Sequence, residues 1–315
     1  MPFRRSGTAL VALATLTLAG CGAGSTTAPA APSGDAPLTV VTSTNVYGSI
    51  AQAVGGNRVT VTSLINDPAA DPHSYESTPA DAAKVAGANV VLYNGGGYDD
   101  FMQRLVQSAG GKATVVNVTQ LSGLAPTDAS GGAAPAGQSS FNEHFWYSLP
   151  TMQKVATQLA TDLGAADSAN AAQFTSNAQA FNAKVADLLT KEQAIGAAHS
   201  GARVAITEPV PGYLIEGAGL DDVTPPAFTK AVEEDTDPPA AVLQQTLALF
   251  TGDPVRALIL NAQTETPTTT QVEQAAQTAG VPVVKVTETL PAGVNDYVSW
   301  MGSEIDAVAN ALNGR

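Results

Sequence analysis

What most constrains the fold of this chain is an alternation that occurs twice. Short β-branched and apolar runs, LTVVTST (38–44), VTVTSLI (59–65), ANVVLYNG (88–95) and ATVVNVT (113–119), are separated by helically spaced stretches such as YDDFMQRLVQSAG (98–110). The rhythm returns with RVAIT (203–207), ALILN (257–261) and PVVKV (282–286), plus a shorter run near Leu220 to Val223. Helical patterns at 239–250, 269–279 and 296–312 accompany this second set. Strands that alternate with helices need crossover connections, and these build parallel sheets covered on both faces.

Between the two sets lies LSGLAPTDASGGAAPAGQSSFN (121–142), which reads as a Gly/Ala/Pro loop. A helical pattern follows at 152–164, then a longer one over 168–197. On the longer one Phe174, Ala178, Phe181, Val185 and Leu188 share one stripe. Gly196 and Gly201 mark its end. The expected fold is therefore α/β, with two Rossmann-like parallel-sheet domains joined by a long rigid helix. The expected boundaries are 37–165 for the N-terminal domain, 166–199 for the linking helix and 200–315 for the C-terminal domain. A chain of 315 residues that is 44% hydrophobic can bury two cores.

The N-terminus carries a different signal. Arg4 and Arg5 precede an apolar run from Thr8 to Ala19, too short for the ~20 residues of a membrane-spanning helix. Leu18-Ala19-Gly20-Cys21 then resembles the lipobox of bacterial lipoproteins, which implies cleavage before Cys21 and lipidation of its thiol. Residues 1–20 are read as a lipoprotein signal peptide. Residues 21–36, small and rich in Pro and Gly, are read as a flexible tether. Cys21 is the one cysteine, so no disulfide is expected. The expected location is extracytoplasmic, lipid-anchored to the outer face of the cell membrane.

The formal net charge of −14 argues against nucleic acid and anionic lipid surfaces as partners. It is compatible with attracting cations. Loss of Arg4 and Arg5 with the signal peptide makes the remainder more acidic still.

In parallel sheets, ligands gather beyond the carboxyl ends of the strands. The polar residues at those positions are His73 after 59–65, His144 after 113–119, Glu208 after 203–207 and Glu288 after 282–286. Two imidazoles and two carboxylates suit a divalent metal. Each also has an ordinary structural reading: a turn histidine, a core-edge histidine beside Phe145 and Trp146, and exposed carboxylates. His199, at the end of the long helix, is read as a helix-dipole partner and not a ligand. No HExxH, GxSxG or Cys–His pair is present.

Four segments sharpen these candidates: DPHSYESTPAD (71–81), ANVVLYNGGGYDDFM (88–102), EHFWYSLP (143–150) and GYLIEGAGL (212–220). Together they resemble the solute-binding lipoproteins of bacterial ATP-driven manganese and zinc importers (the cluster A-I family) over residues 37–313. The resemblance implies that His73, His144, Glu208 and Glu288 each bring one ligand to an interdomain cleft, with Asp296 as an alternative to Glu288. It implies Mn2+ or Zn2+ as the transported ligand, the membrane permease of an ABC importer as partner, and a monomer that is not an enzyme. The chain departs from the family's pattern at Asn261, near which Glu is frequent. The 121–142 loop has no histidine and a single acid, Asp128. With Glu at 208, this tilts the expected donor set towards oxygen and manganese. A surface adhesin and a metallohydrolase are the competing readings. Asp71 and Pro72 are expected to set the turn that aims His73.

Overall fold

The structure, a computed structural model, describes residues 36–125 and 141–314. The expected signal peptide (1–20), Cys21, nearly all of the expected tether (21–36) and most of the 121–142 loop lie outside the described residues. The first lobe runs β1 (Leu38–Thr44), α1 (Asn45–Gly55), β2 (Val59–Ile65), α2 (Pro79–Ala86), β3 (Val90–Tyr93), α3 (Asp100–Ser108), β4 (Thr114–Asn117), α4 (Val118–Ser122) and α5 (Leu149–Ala166). A long helix, α6 (Ala171–His199), leads into the second lobe. That lobe comprises β5 (Arg203–Ile206), α7 (Gly212–Gly217), β6 (Asp221–Asp222), α8 (Pro226–Glu233), α9 (Ala240–Ala248), β7 (Leu258–Asn261), α10 (Pro267–Thr278), β8 (Val283–Val286) and α11 (Tyr297–Asn313).

Each lobe holds a four-stranded sheet, ordered β2-β1-β3-β4 and β6-β5-β7-β8. Every pairing is parallel. In the first sheet Val40 lies opposite both Val61 and Val90. Val40, Val41, Val90, Val91 and Leu92 are fully buried, as expected of strands covered on both faces. The strand order reverses beside β1 in one lobe and β5 in the other, which opens a crevice at the carboxyl ends.

The strands β1 and β2 match their sequence expectation end to end. The run 113–119 turns earlier: the Asn117 side chain accepts from the Gln120 backbone N–H and starts α4 at Val118. The linking helix begins at Ala171, because α5 continues to Ala166 and the chain turns at Asp167. At 29 residues α6 spans about 43 Å. Its buried stripe is the expected one, extended by Glu192 and Ile195. Each fully buried phenylalanine or leucine on it contributes about 1.5–3 kcal/mol of hydrophobic stabilisation.

The lobes share one apolar core. A single cluster of buried side chains includes Val40 and Leu92 of the first sheet, the α6 stripe, Ile259 of the second sheet and Ile305 of α11. Polar clasps reinforce it. Asn45 donates to Leu290 O (3.1 Å) and accepts from Leu290 N (3.0 Å). Tyr297 Oη donates to Trp146 O (2.7 Å), and Tyr147 Oη donates to Thr287 O (2.8 Å). Wide hinge opening would break this core, so only small relative tilts of the lobes are compatible with it.

Candidate metal centre

The four candidate residues all sit beyond strand ends, and they form two pairs. The first pair is imidazole. His73 lies on the 66–78 loop, held at its far end by the capping box of Thr78 and Asp81 on α2. Asp71 Oδ1 accepts from the His73 backbone N–H (2.9 Å) and lies 3.0 Å from His73 Nδ1. His144 repeats the device: Asn142 Oδ1 accepts from the His144 backbone N–H (3.0 Å) and lies 2.8 Å from its Nδ1. In both cases an oxygen two residues earlier holds Nδ1–H, which leaves Nε2 facing the cleft. The Asn142 side-chain nitrogen donates to Pro209 O and the Asn142 backbone carbonyl accepts from Tyr213 Oη, so the second lobe braces this turn.

Tyr98 packs between the imidazoles, its ring 5.1 Å from that of His73 and 6.0 Å from that of His144. Its place follows from the three glycines before it. Gly95, Gly96 and Gly97 all have positive φ, and a Cβ on Gly97 would come within 2.9 Å of Glu143 Oε2.

The second pair is carboxylate. Glu208 follows β5 and is 3% exposed; Glu288 follows β8 and is 7% exposed. The Asn261 amide, at the end of β7, donates to both, at 2.9 Å to Glu208 Oε2 and 2.6 Å to Glu288 Oε1. Thr264 donates its hydroxyl proton to Glu208 Oε1. Gln263 accepts from the Glu288 and Thr289 backbone N–H groups and donates to Pro68 O on the His73 loop (2.5 Å). One side chain thus ties together ligand loops of both lobes.

Two residues beyond the candidates join the site. Glu143 Oε1 is 2.6 Å from His73 Nε2. Glu233, the last residue of α8, puts Oε1 3.4 Å from His144 Nε2 and 3.9 Å from His73 Nε2. Ligand atoms of His73, Glu143 and Glu233 all lie within 4.8 Å of one another. Neither α8 nor Glu233 was anticipated. The Pro225-Pro226 start reads as loop, although proline suits the first turn of a helix. The signal that was there to find is the shared D-x-H and N-x-H pattern at 71–73 and 142–144. Asp296 instead caps α11, accepting from Val298 N and Ser299 N. His199 closes the last turn of α6, with Nε2 2.9 Å from Asn313 Oδ1.

The electrostatics follow from burial and crowding. Burial opposes charge on His73, but its bonds to Asp71 and Glu143 and the nearby Glu143 and Glu233 charges outweigh this and raise its pKa to about 11. Burial, helped by the charge on His73, lowers His144 to about 3. Burial and the neighbouring Glu208 and Glu288 charges raise Glu233 to about 9. Burial and Glu208 raise Glu288 to about 7. Glu208 is raised by burial, partly offset by Thr264 and Asn261. Glu233 therefore holds a proton through the neutral range that a cation would displace.

Known proteins share the sequence pattern and the fold of this chain. The family model described as zinc-uptake complex component A, periplasmic (ZnuA) matches residues 40–311. The manganese-binding lipoprotein MntA of Bacillus subtilis is 31% identical over 174 residues, 55% of this chain and 53% of that protein, so the alignment spans about half the length of that relative. The manganese-binding lipoprotein MntA of Halalkalibacterium halodurans is 27% identical over 247 residues, 74% of this chain and 78% of that protein. Among solved structures, an Mn-bound mutant periplasmic metal binding protein from Candidatus Liberibacter asiaticus superposes with a TM-score of 0.72 at 19% identity. That alignment covers 87% of this chain and 99% of the other.

Proposed function

The chain belongs to the family of the periplasmic zinc-uptake component ZnuA, whose members are metal-binding substrate-binding proteins of importers, and on that premise we propose that it captures a divalent transition metal outside the membrane and delivers it to the permease of an ABC importer. The proposed donors are His73 Nε2, His144 Nε2, and the carboxylates of Glu208 and Glu288. The observation that carries this reading is His144 Nε2. It is buried, its ring is oriented by Asn142, and it has no hydrogen-bond partner among the described residues. A buried, aimed and unpartnered nitrogen beside carboxylates is costly unless something positive comes to it.

Capture on this account is an exchange of protons for a cation. Glu143 and a proton hold His73 Nε2 in the metal-free state. An arriving ion takes that nitrogen, and Glu143 and the proton leave. The charge of the ion then cancels the mutual repulsion of Glu208 and Glu288, which Asn261 relieves only in part. The oxygen-rich surroundings favour Mn2+. Zn2+ binds nitrogen and oxygen donors more tightly in general, so the preference must come from coordination number and geometry.

Cys21 is proposed as the lipid attachment site, with residues 21–36 as tether, residues 37–165 and 200–315 as the domains and 166–199 as the link between them. The naming of the MntA relatives as lipoproteins supports the anchor. The protein is read as a monomer. The test is titration of the metal-free protein with Mn2+ and with Zn2+, reading stoichiometry and melting temperature. One ion per chain with a large rise in melting temperature is expected. If neither ion raises it, the capture reading is wrong.

A further inference from the structure

We propose that Glu233 is a fifth donor to the captured ion, so that two imidazoles from the first lobe face three carboxylates from the second; this rests on the capture reading above. The candidate residues beyond strand ends do not include it, because it comes from the end of a helix.

Three observations carry the assignment. First, one oxygen of Glu233 faces both imidazoles, at 3.4 Å from His144 Nε2 and 3.9 Å from His73 Nε2. Donor atoms that share one ion at bonds of roughly 2.0–2.3 Å stand about 3–4 Å apart along the edges of its coordination shell. Glu233 Oε1 is therefore already at coordination-edge distance from both nitrogens.

Second, the contact lacks an ordinary explanation. His144 directs Nδ1–H to Asn142 Oδ1, which leaves Nε2 with its lone pair outward. At 3.4 Å the two atoms are too far apart for a good hydrogen bond even when Glu233 carries a proton, and the ionised carboxylate offers the nitrogen only a second acceptor. Neither His144 Nε2 nor Glu233 Oε2 has a hydrogen-bond partner among the described residues, and both atoms are buried. A positive ion between them satisfies both.

Third, Glu233 stands at the carboxyl end of α8, where the helix dipole disfavours an anion. Lys230 and Glu234 on the same turn are exposed and pair with each other, with Lys230 Nζ 3.8 Å from Glu234 Oε1. Packing alone does not call for an acid at this place.

The consequence concerns the class of cargo. Four donors close a tetrahedron, which suits Zn2+. A fifth, anionic oxygen suits an ion that accepts five or six ligands and favours carboxylate, as Mn2+ does. Glu233 is on this account the residue that tilts the site towards the larger, oxygen-preferring ion.

The experiment compares full-length wild type with Glu233→Gln and Glu233→Asp, each titrated with Mn2+ and with Zn2+, and each melted without metal. Glu233→Gln is expected to weaken Mn2+ binding at least about tenfold, the scale of losing a metal-supporting group, while Zn2+ binding falls much less. Glu233→Asp, which withdraws the carboxylate by one methylene, is expected to fall between. Wild-type affinity for both ions in both variants overturns the proposal and leaves the four-donor reading standing. Equal loss for both ions overturns the role in discrimination. Failure of wild type to bind either ion overturns the capture reading and this proposal with it. If the variants do not fold, anomalous diffraction at the manganese edge from Mn2+-loaded wild type decides. A Glu233 carboxylate oxygen within about 2.0–2.5 Å of the ion supports the proposal, and one beyond about 3 Å overturns it.

Discussion

The two halves of the metal site use the same architectural position in opposite ways. In both lobes the donors stand beyond the carboxyl ends of a parallel sheet. In the first lobe each donor is aimed locally. An Asp71 or Asn142 oxygen two residues upstream holds the imidazole. In the second lobe nothing local aims the carboxylates. Asn261, Thr264 and Gln263, all from the β7 end and the loop after it, hold Glu208 and Glu288 from outside their own loops. The imidazole half is a set of rigid turns. The carboxylate half is a network that exists only once β5, β7 and β8 are side by side.

That contrast can be broken experimentally. The largest effect is expected from His144→Ala, which removes the nitrogen that has no alternative partner. Affinity for Mn2+ and Zn2+ should fall by more than the roughly 10–100-fold typical of losing a supporting residue. Titration of the variant checks this, and near wild-type affinity would remove His144 from the site.

Acid comes next. His73 is protonated in the metal-free protein throughout the neutral range, because its pKa is raised to about 11. Each ion bound must displace that proton, and with Glu233 as donor that group's proton too, so affinity should drop at least about tenfold per pH unit, and at least about 100-fold from pH 8 to pH 6. Metal-free stability should run the other way. A group with a raised pKa stabilises the fold fully below its unfolded value and loses this as pH climbs to its folded value. His73 loses it above the ordinary imidazole value of 6.5, and Glu233 between 4.5 and about 9. The metal-free protein should therefore melt lower at pH 9 than at pH 6.5, with the difference reduced by bound metal. Melting curves at both pH values, with and without Mn2+, read this directly.

Asn142→Ala sharpens the comparison within the imidazole half. It leaves His144 in place but frees its ring, and about 10–100-fold weaker binding is expected. The smallest effect is expected from Gln263→Ala. It cuts the link between the Glu288 backbone and Pro68, at about 1–3 kcal/mol of stability for the unmatched buried groups. The release rate of the metal should rise more than the rate of capture changes, because the variant loosens the lobes without removing a donor. Stopped-flow release into a chelator separates the two.

The unequal wiring also explains what was legible in the sequence. The runs 38–44 and 59–65 mark β1 and β2 residue for residue, because they are β-branched and bounded by turn residues. The stripe from Phe174 to Leu188 marks α6. His73 and His144 are legible because their aiming residues are sequence neighbours. Glu143 and Glu233 are not. Glu143 is hidden beside His144, and reaches His73 only because Gly97 leaves room. Glu233 is hidden because α8 opens with prolines and its partners lie in the other lobe. The bridging role of Asn261 depends on three strands lying side by side, and no spacing along one segment encodes it.

The most direct test of the whole account is anomalous diffraction from crystals of the Mn2+-loaded protein, recorded at the manganese edge. The account predicts one peak per chain between the lobes, within roughly 2.0–2.5 Å of His73 Nε2, His144 Nε2 and carboxylate oxygens of Glu208 and Glu288, with Glu143 withdrawn from His73. A peak bound elsewhere, or one that leaves His144 Nε2 without a ligand bond, would contradict it.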